Sequence, residues 1–153
     1  MSGFDPVGTL DALVSHALAS GLFETVNGHE PVNAPPGTGL TAGVWASRID
    51  PIRTSGLQAT SLRVTFSVRV YSSADTEPLD AIDPNVLAAV CALMAAYSAD
   101  FTLAGGARNI DLLGSSGVAL SAQAGYLDQD GKKFRVMTIT APILYNDVLE
   151  QVA

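Results

Sequence analysis

From Leu62 to Tyr71 the chain alternates: Leu62, Val64, Phe66, Val68 and Val70 are apolar, and Arg63, Thr65, Ser67, Arg69 and Tyr71 stand between them. Successive side chains of a strand point to opposite faces, so this period of two predicts a strand with one face in a core and the other polar. A helix would scatter the same residues around its circumference. A sheet that is dry on one face only is usually antiparallel, and it needs a second layer to cover the dry face.

Two helical patterns can supply that layer. Asp5-Pro6 reads as an N-cap with proline in the first turn, followed by Leu10, Leu13, Val14, Ala17 and Leu18 at helical spacing and a stop at Gly21. Asp83-Pro84 repeats that start, and Ile82, Val86, Val90, Leu93, Met94 and Tyr97 form the stripe of a longer, Ala-rich helix through about Ser98. Further strands are expected at Leu22 to Val26, Thr41 to Ile49, Ala107 to Leu113, Val118 to Leu127 and Lys133 to Leu144, the last ending near Pro142. Asp128-Gln129-Asp130-Gly131 reads as a hairpin turn. Asn27 to Gly39, Asp50 to Ala59 and Ser72 to Asp80 read as loops, the first rich in proline and glycine. The expectation is one α+β domain over residues 1–153, a largely antiparallel β-sheet with two main α-helices packed on one face.

Charge narrows the function. Only 15% of residues are charged and 48% are apolar, with a formal net charge of −7. Either small residues inflate the apolar count, or some apolar surface is buried against other subunits. The eight Lys and Arg residues are scattered, which argues against binding nucleic acid through its phosphates. One cysteine, Cys91, cannot form an internal disulfide. Met1 to Pro6 lacks the features of a signal peptide, and no apolar run approaches the ~20 residues of a membrane span. A cytosolic origin is expected.

No catalytic, cofactor or metal site is predicted. His16 and His29 are the only histidines, and neither has metal-site spacing with Cys91, which is placed on the core side or flank of the second helix as inert packing. Gly37-Thr38-Gly39-Leu40-Thr41-Ala42-Gly43 precedes a strand and does not open a helix, so it lacks the phosphate-cradling N-terminus. Gly114-Ser115-Ser116-Gly117 lacks a P-loop lysine. Asp128-x-Asp130-Gly131 resembles the start of a calcium loop, but its twelfth position would be Ile139, where a bidentate Glu is needed. Asp75, Glu77, Asp80 and Asp83 cluster before the second helix, either complementing its dipole, with Asp83 as cap, or forming an acidic contact. Arg48, Arg53, Arg63 and Arg69 are solvated strand residues or partners for acids on a neighbouring subunit.

Several segments together carry a resemblance. They are Leu10 to Phe23, Val26 to Pro31, Gly39 to Trp45, Asp83 to Asn85, Ala95 to Leu103, Arg108 to Gly114, and Tyr126 to Asp128 with Arg135 to Thr140. Across nearly its whole length the chain resembles the tail terminator (tail completion) proteins of long-tailed, siphovirus-type phages, especially those of actinobacterial phages and prophages. The resemblance implies a small α+β virion subunit, made in the host cytoplasm, that forms a homo-oligomeric, hexameric ring. Such a ring caps the tail tube, ends its polymerisation and offers the head-docking surface to the connector or neck. It implies no enzyme activity, no cofactor and no membrane, with DNA passing through the lumen unbound. The ring interface is expected on strand edges and on the loops Asn27 to Gly39 and Asp50 to Ala59. An acidic wall would keep the DNA mobile by repulsion. Two rival readings are a head-closure or neck adaptor, and a small-molecule-binding or enzymatic α+β domain with a deep polar pocket.

Overall fold

The computed structural model describes residues 5–30, 39–52, 59–73, 82–100, 102–103 and 107–150. Helix α1 (Pro6–Ser20) leads to β1 (Thr25–Asn27), β2 (Thr41–Ile52) and β3 (Ala59–Ser73). Helix α2 (Ile82–Ala99) follows, and then β4 (Asn109–Ile110), β5 (Ser121–Gln129) and β6 (Lys132–Glu150). The sheet order is β1-β2-β3-β6-β4, with β5 also paired to β6. All pairings are antiparallel except β1 with β2. The fold is α+β, as the patterning predicts.

The alternation in β3 sorts the layers. Leu62, Val64, Phe66, Val68 and Val70 join Ile139, Ala141, Ile143 and Tyr145 of β6 in the main core, beneath both helices. Leu13 and Ala17 of α1 and Val86, Ala89, Val90, Leu93 and Tyr97 of α2 close that core. Truncating a fully buried leucine such as Leu13 to alanine would cost about 2–5 kcal/mol. Helix α2 is long and apolar enough to cross a membrane by length and composition alone, yet one face of it is the lid of this core.

The caps of α1 follow the sequence. The Asp5 carboxylate accepts from the Gly8 amide at 2.9 Å, and Gly21 closes the helix in the left-handed region. Leu18 departs from expectation: it is 62% exposed, because the buried stripe is only Leu13 and Ala17 with Thr9. Asp83 also departs, since α2 already begins at Ile82. The carboxylate lies inside the first turn and pairs with Arg135 at 2.9 Å, where a cap was expected. Cys91 is exposed, not on the core side: it lies about 100° around the helix from buried Val90, which turns it to solvent.

Strand ends differ from the sequence reading as well. The first strand is Thr25–Asn27, β2 runs on to Ile52, β4 shrinks to Asn109–Ile110, and β5 spans Ser121–Gln129. Pro142 does not end β6. It pairs with Thr65, while its carbonyl accepts from the Asp111 amide at 2.9 Å on the other side. A strand residue aims its N and O toward the same neighbour, so the imide nitrogen faces the gap between β4 and β5, where no ladder donor is required. The Asp130-Gly131 turn is as predicted: φ is 52° and 76°, the left-handed pair of a type I′ hairpin.

The helix-free face of β3 is less wet than its polarity suggests. Arg63 is only 8% exposed, and Ser61 and Thr65 are buried. Tyr71, Phe134 and Val136 form a second small core there, with Leu127 packed against it.

Candidate functional site

Two features of the described residues stand out at the surface, and both follow from local chemistry. The first is the outer border of β5. In a two-residue hairpin the closing pair, Gln129 with Lys132, exchanges both hydrogen bonds, and such pairs alternate along the ladder. Gln129, Leu127, Gly125, Gln123 and Ser121 therefore point their backbone groups at β6. Asp128, Tyr126, Ala124 and Ala122 point theirs outward, where no strand is paired among the described residues. From Ser121 to Leu127 this border has no charge, no proline and no bulge.

The opposite border, β2 beyond its short pairing with β1, is different. A register shift interrupts it between Ala46 and Arg48. Applying the same alternation there turns Pro51 outward, without an N–H to offer, and Arg48 adds a charge. Bulge, proline and basic side chain are the devices by which sheets block strand addition. β2 is thus guarded along this stretch, and β5 is bare.

An apolar groove of about 340 Å³ adjoins the bare border, lined by Asp83, Pro84, Val86, Leu87, Arg135 and Met137. Met137 pairs with Ala124 and Arg135 with Tyr126, so the groove opens directly beside the outward residues of β5. Leu87 is 53% exposed at its lip, and Tyr126 is exposed too. The Arg135 guanidinium lies 4.6 Å from the Tyr126 ring centroid while its Nε donates to Asp83 at 2.9 Å, which neutralises the rim and orders the tyrosine.

The second feature is the turn after β4. The Asp111 carboxylate, 3% exposed, accepts from the amides of Gly114, Ser115 and Ser116 and from both serine hydroxyls. Burial pushes its pKa up, but the Ser116 hydroxyl and the three amides outweigh burial and hold the carboxyl below its ordinary value. Arg63 braces the turn from the sheet: its Nη1 donates to the Ser116 carbonyl at 2.7 Å, and its other nitrogens grip Asp50. Gly114 sits at φ +86°, and a Cβ there would also press on Ala119 at 3.2 Å. At the tip, Leu113 is 94% exposed. Sequence reasoning weighed Gly114 to Gly117 only as a phosphate loop. The usable signal was an Asp three residues before Gly-Ser-Ser, the pattern of a carboxylate collecting backbone donors.

The candidates for chemistry do not converge. His16 Nε2 meets Asp100 at 2.8 Å and its ring lies edge-on to Tyr97, tying α1 to the end of α2. His29 Nδ1 lies 3.2 Å from the Glu30 carbonyl. Arg69 stacks over Trp45 at 5.1 Å, and Arg48 is exposed. Among the described residues no three His, Cys, Asp or Glu side chains gather as a metal site. Arg53, Asp75, Glu77 and Asp80 lie outside the described residues, as do 31–38 of the first loop and 53–58 of the second. Comparison with known proteins returned no matching family model and no matching curated protein.

Proposed function

We propose that this chain is a non-enzymatic structural subunit that assembles with copies of itself into a ring, in the manner of a phage tail terminator seated on a tail tube. The observation that carries the reading is the unguarded border of β5 beside an apolar groove. A bare edge flanked by exposed leucine and tyrosine is what a chain built to be covered presents. The low charge content and the tail-terminator resemblance point the same way. The ring interface is assigned to β5 and its groove; the β2 border, with its bulge and Pro51, is not part of it.

The test is light-scattering mass of the purified chain, alone and with purified tail tubes, together with electron microscopy of tube ends. A sixfold mass, or rings confined to tube ends, is the expected result. A monomer that ignores tubes and caps isolated heads would make it a neck adaptor. A monomer that ignores both would remove the structural reading.

A further inference from the structure

Leu113 poses a problem of its own. A leucine that is 94% exposed is tolerable on a floppy tip, where it can fold back. This one sits on a turn fixed by Asp111 through five hydrogen bonds and braced by Arg63. The chain has invested a buried carboxylate and a nearly buried arginine in holding an apolar side chain in water. Rigid display of that kind is the form of an anchor residue, which binds best when its geometry is set beforehand.

The groove between α2 and β6 has the complementary form. Pro84, Val86, Leu87 and Met137 give it apolar walls, and it has room for a leucine side chain with its flanking backbone. The paired Asp83 and Arg135 leave its rim without an uncompensated charge. Its own Leu113 cannot fill it. The turn hangs from β4, whose partners on β6 are Ile143 and Leu144, whereas the groove lies at Met137. Six to seven strand residues separate the two, on the order of 20–24 Å.

We infer that Leu113 of one copy docks in the α2–β6 groove of the next, a head-to-tail contact between copies of this chain. Knob and socket lie on different parts of the surface, so the contact is heterologous and every copy offers one of each. A closing rotation turns such a contact into a ring. The inference rests on the ring reading and names the residues that would join its subunits.

The experiment uses two variants of exposed residues, Leu113→Asp and Leu87→Asp, with circular dichroism as the check that each folds. Sedimentation velocity over a concentration series measures self-association. Wild type should form closed oligomers, and each variant alone should weaken association roughly tenfold to a hundredfold, the span expected for one buried leucine. The two variants mixed are decisive. The Leu113→Asp copy keeps its socket and the Leu87→Asp copy keeps its knob, so one intact contact remains and a heterodimer should appear. Variants that associate like wild type, a mixture that stays unpaired, or a wild type monomeric at its highest soluble concentration would each overturn the inference. Rings at tube ends formed by Leu113→Asp would overturn this contact and leave the terminator reading standing.

Discussion

Replacing Asp111 by alanine should remove the centre of the turn that carries Leu113. The carboxylate accepts from the Gly114, Ser115 and Ser116 amides at 2.8–3.1 Å and from two hydroxyls. A hydrogen bond to a charged acceptor contributes about 1.5–3 kcal/mol net. The five contacts share one carboxylate and one desolvation cost, so they do not add, and about 3 kcal/mol is the expected total. In a chain of 153 residues that corresponds to a fall in Tm of roughly 6–12 °C. The folded-state pKa of Asp111 lies below its unfolded value. Its contribution is therefore present above the unfolded pKa of about 4 and is lost as pH falls through the folded value. Urea denaturation followed by circular dichroism should show a wide gap between wild type and Asp111→Ala near pH 7, and a narrower gap at about pH 3. Asp111→Asn should fall between the two, keeping one oxygen and losing the charge. A gap under about 0.5 kcal/mol at neutral pH, or one that does not narrow in acid, would refute this account of the turn.

Three further outcomes are expected. Gly131→Ala should cost about 1 kcal/mol by thermal denaturation, although nothing lies within 4 Å of the added Cβ, because φ is +76° there. Tyr145 is buried with its hydroxyl 2.5 Å from that of Thr9, and burial pushes its pKa up to about 12. A raised phenol pKa stabilises the fold fully below the unfolded value near 10 and is lost as pH climbs toward 12, so Tyr145→Phe should blunt the alkaline unfolding expected of wild type and cost about 1 kcal/mol at neutral pH. Cys91 is exposed and should react with a maleimide in the native protein at a rate close to that in urea; protection of the native thiol would contradict its place on α2.

The period of two in β3 and the capped start of α1 carried most of the fold. Both are local signals, and the tertiary structure agrees with them. Where reading failed, a distant partner had decided the matter. Arg63 looks like a solvated strand residue until Asp50 and Ser116 close over it. Pro142 looks like a strand end until its imide is seen to face a gap between two neighbours. Cys91 failed for a different reason. In an Ala-rich helix with Leu87 exposed and Ala89 buried, apolar character no longer marks the inner face, so the stripe blurs. The groove was illegible because its walls come from α2 and β6, far apart in sequence. The Leu113 turn could have been found from Asp111 and the glycines that follow it, but its exposure could not.

The unequal borders of the sheet give the molecule a valence. Fibrils grow because every unit has two compatible edges, so each addition creates a new end like the one it consumed. Here β5 presents a long bare border, and the bulge, Arg48 and Pro51 close the outer border of β2 to a further strand. Once the next subunit covers β5, no comparably long bare edge is left among the described residues to template a further strand, so strand addition does not propagate from copy to copy. Raising the concentration should therefore drive edge pairing to a finite species that saturates, not to a lengthening one.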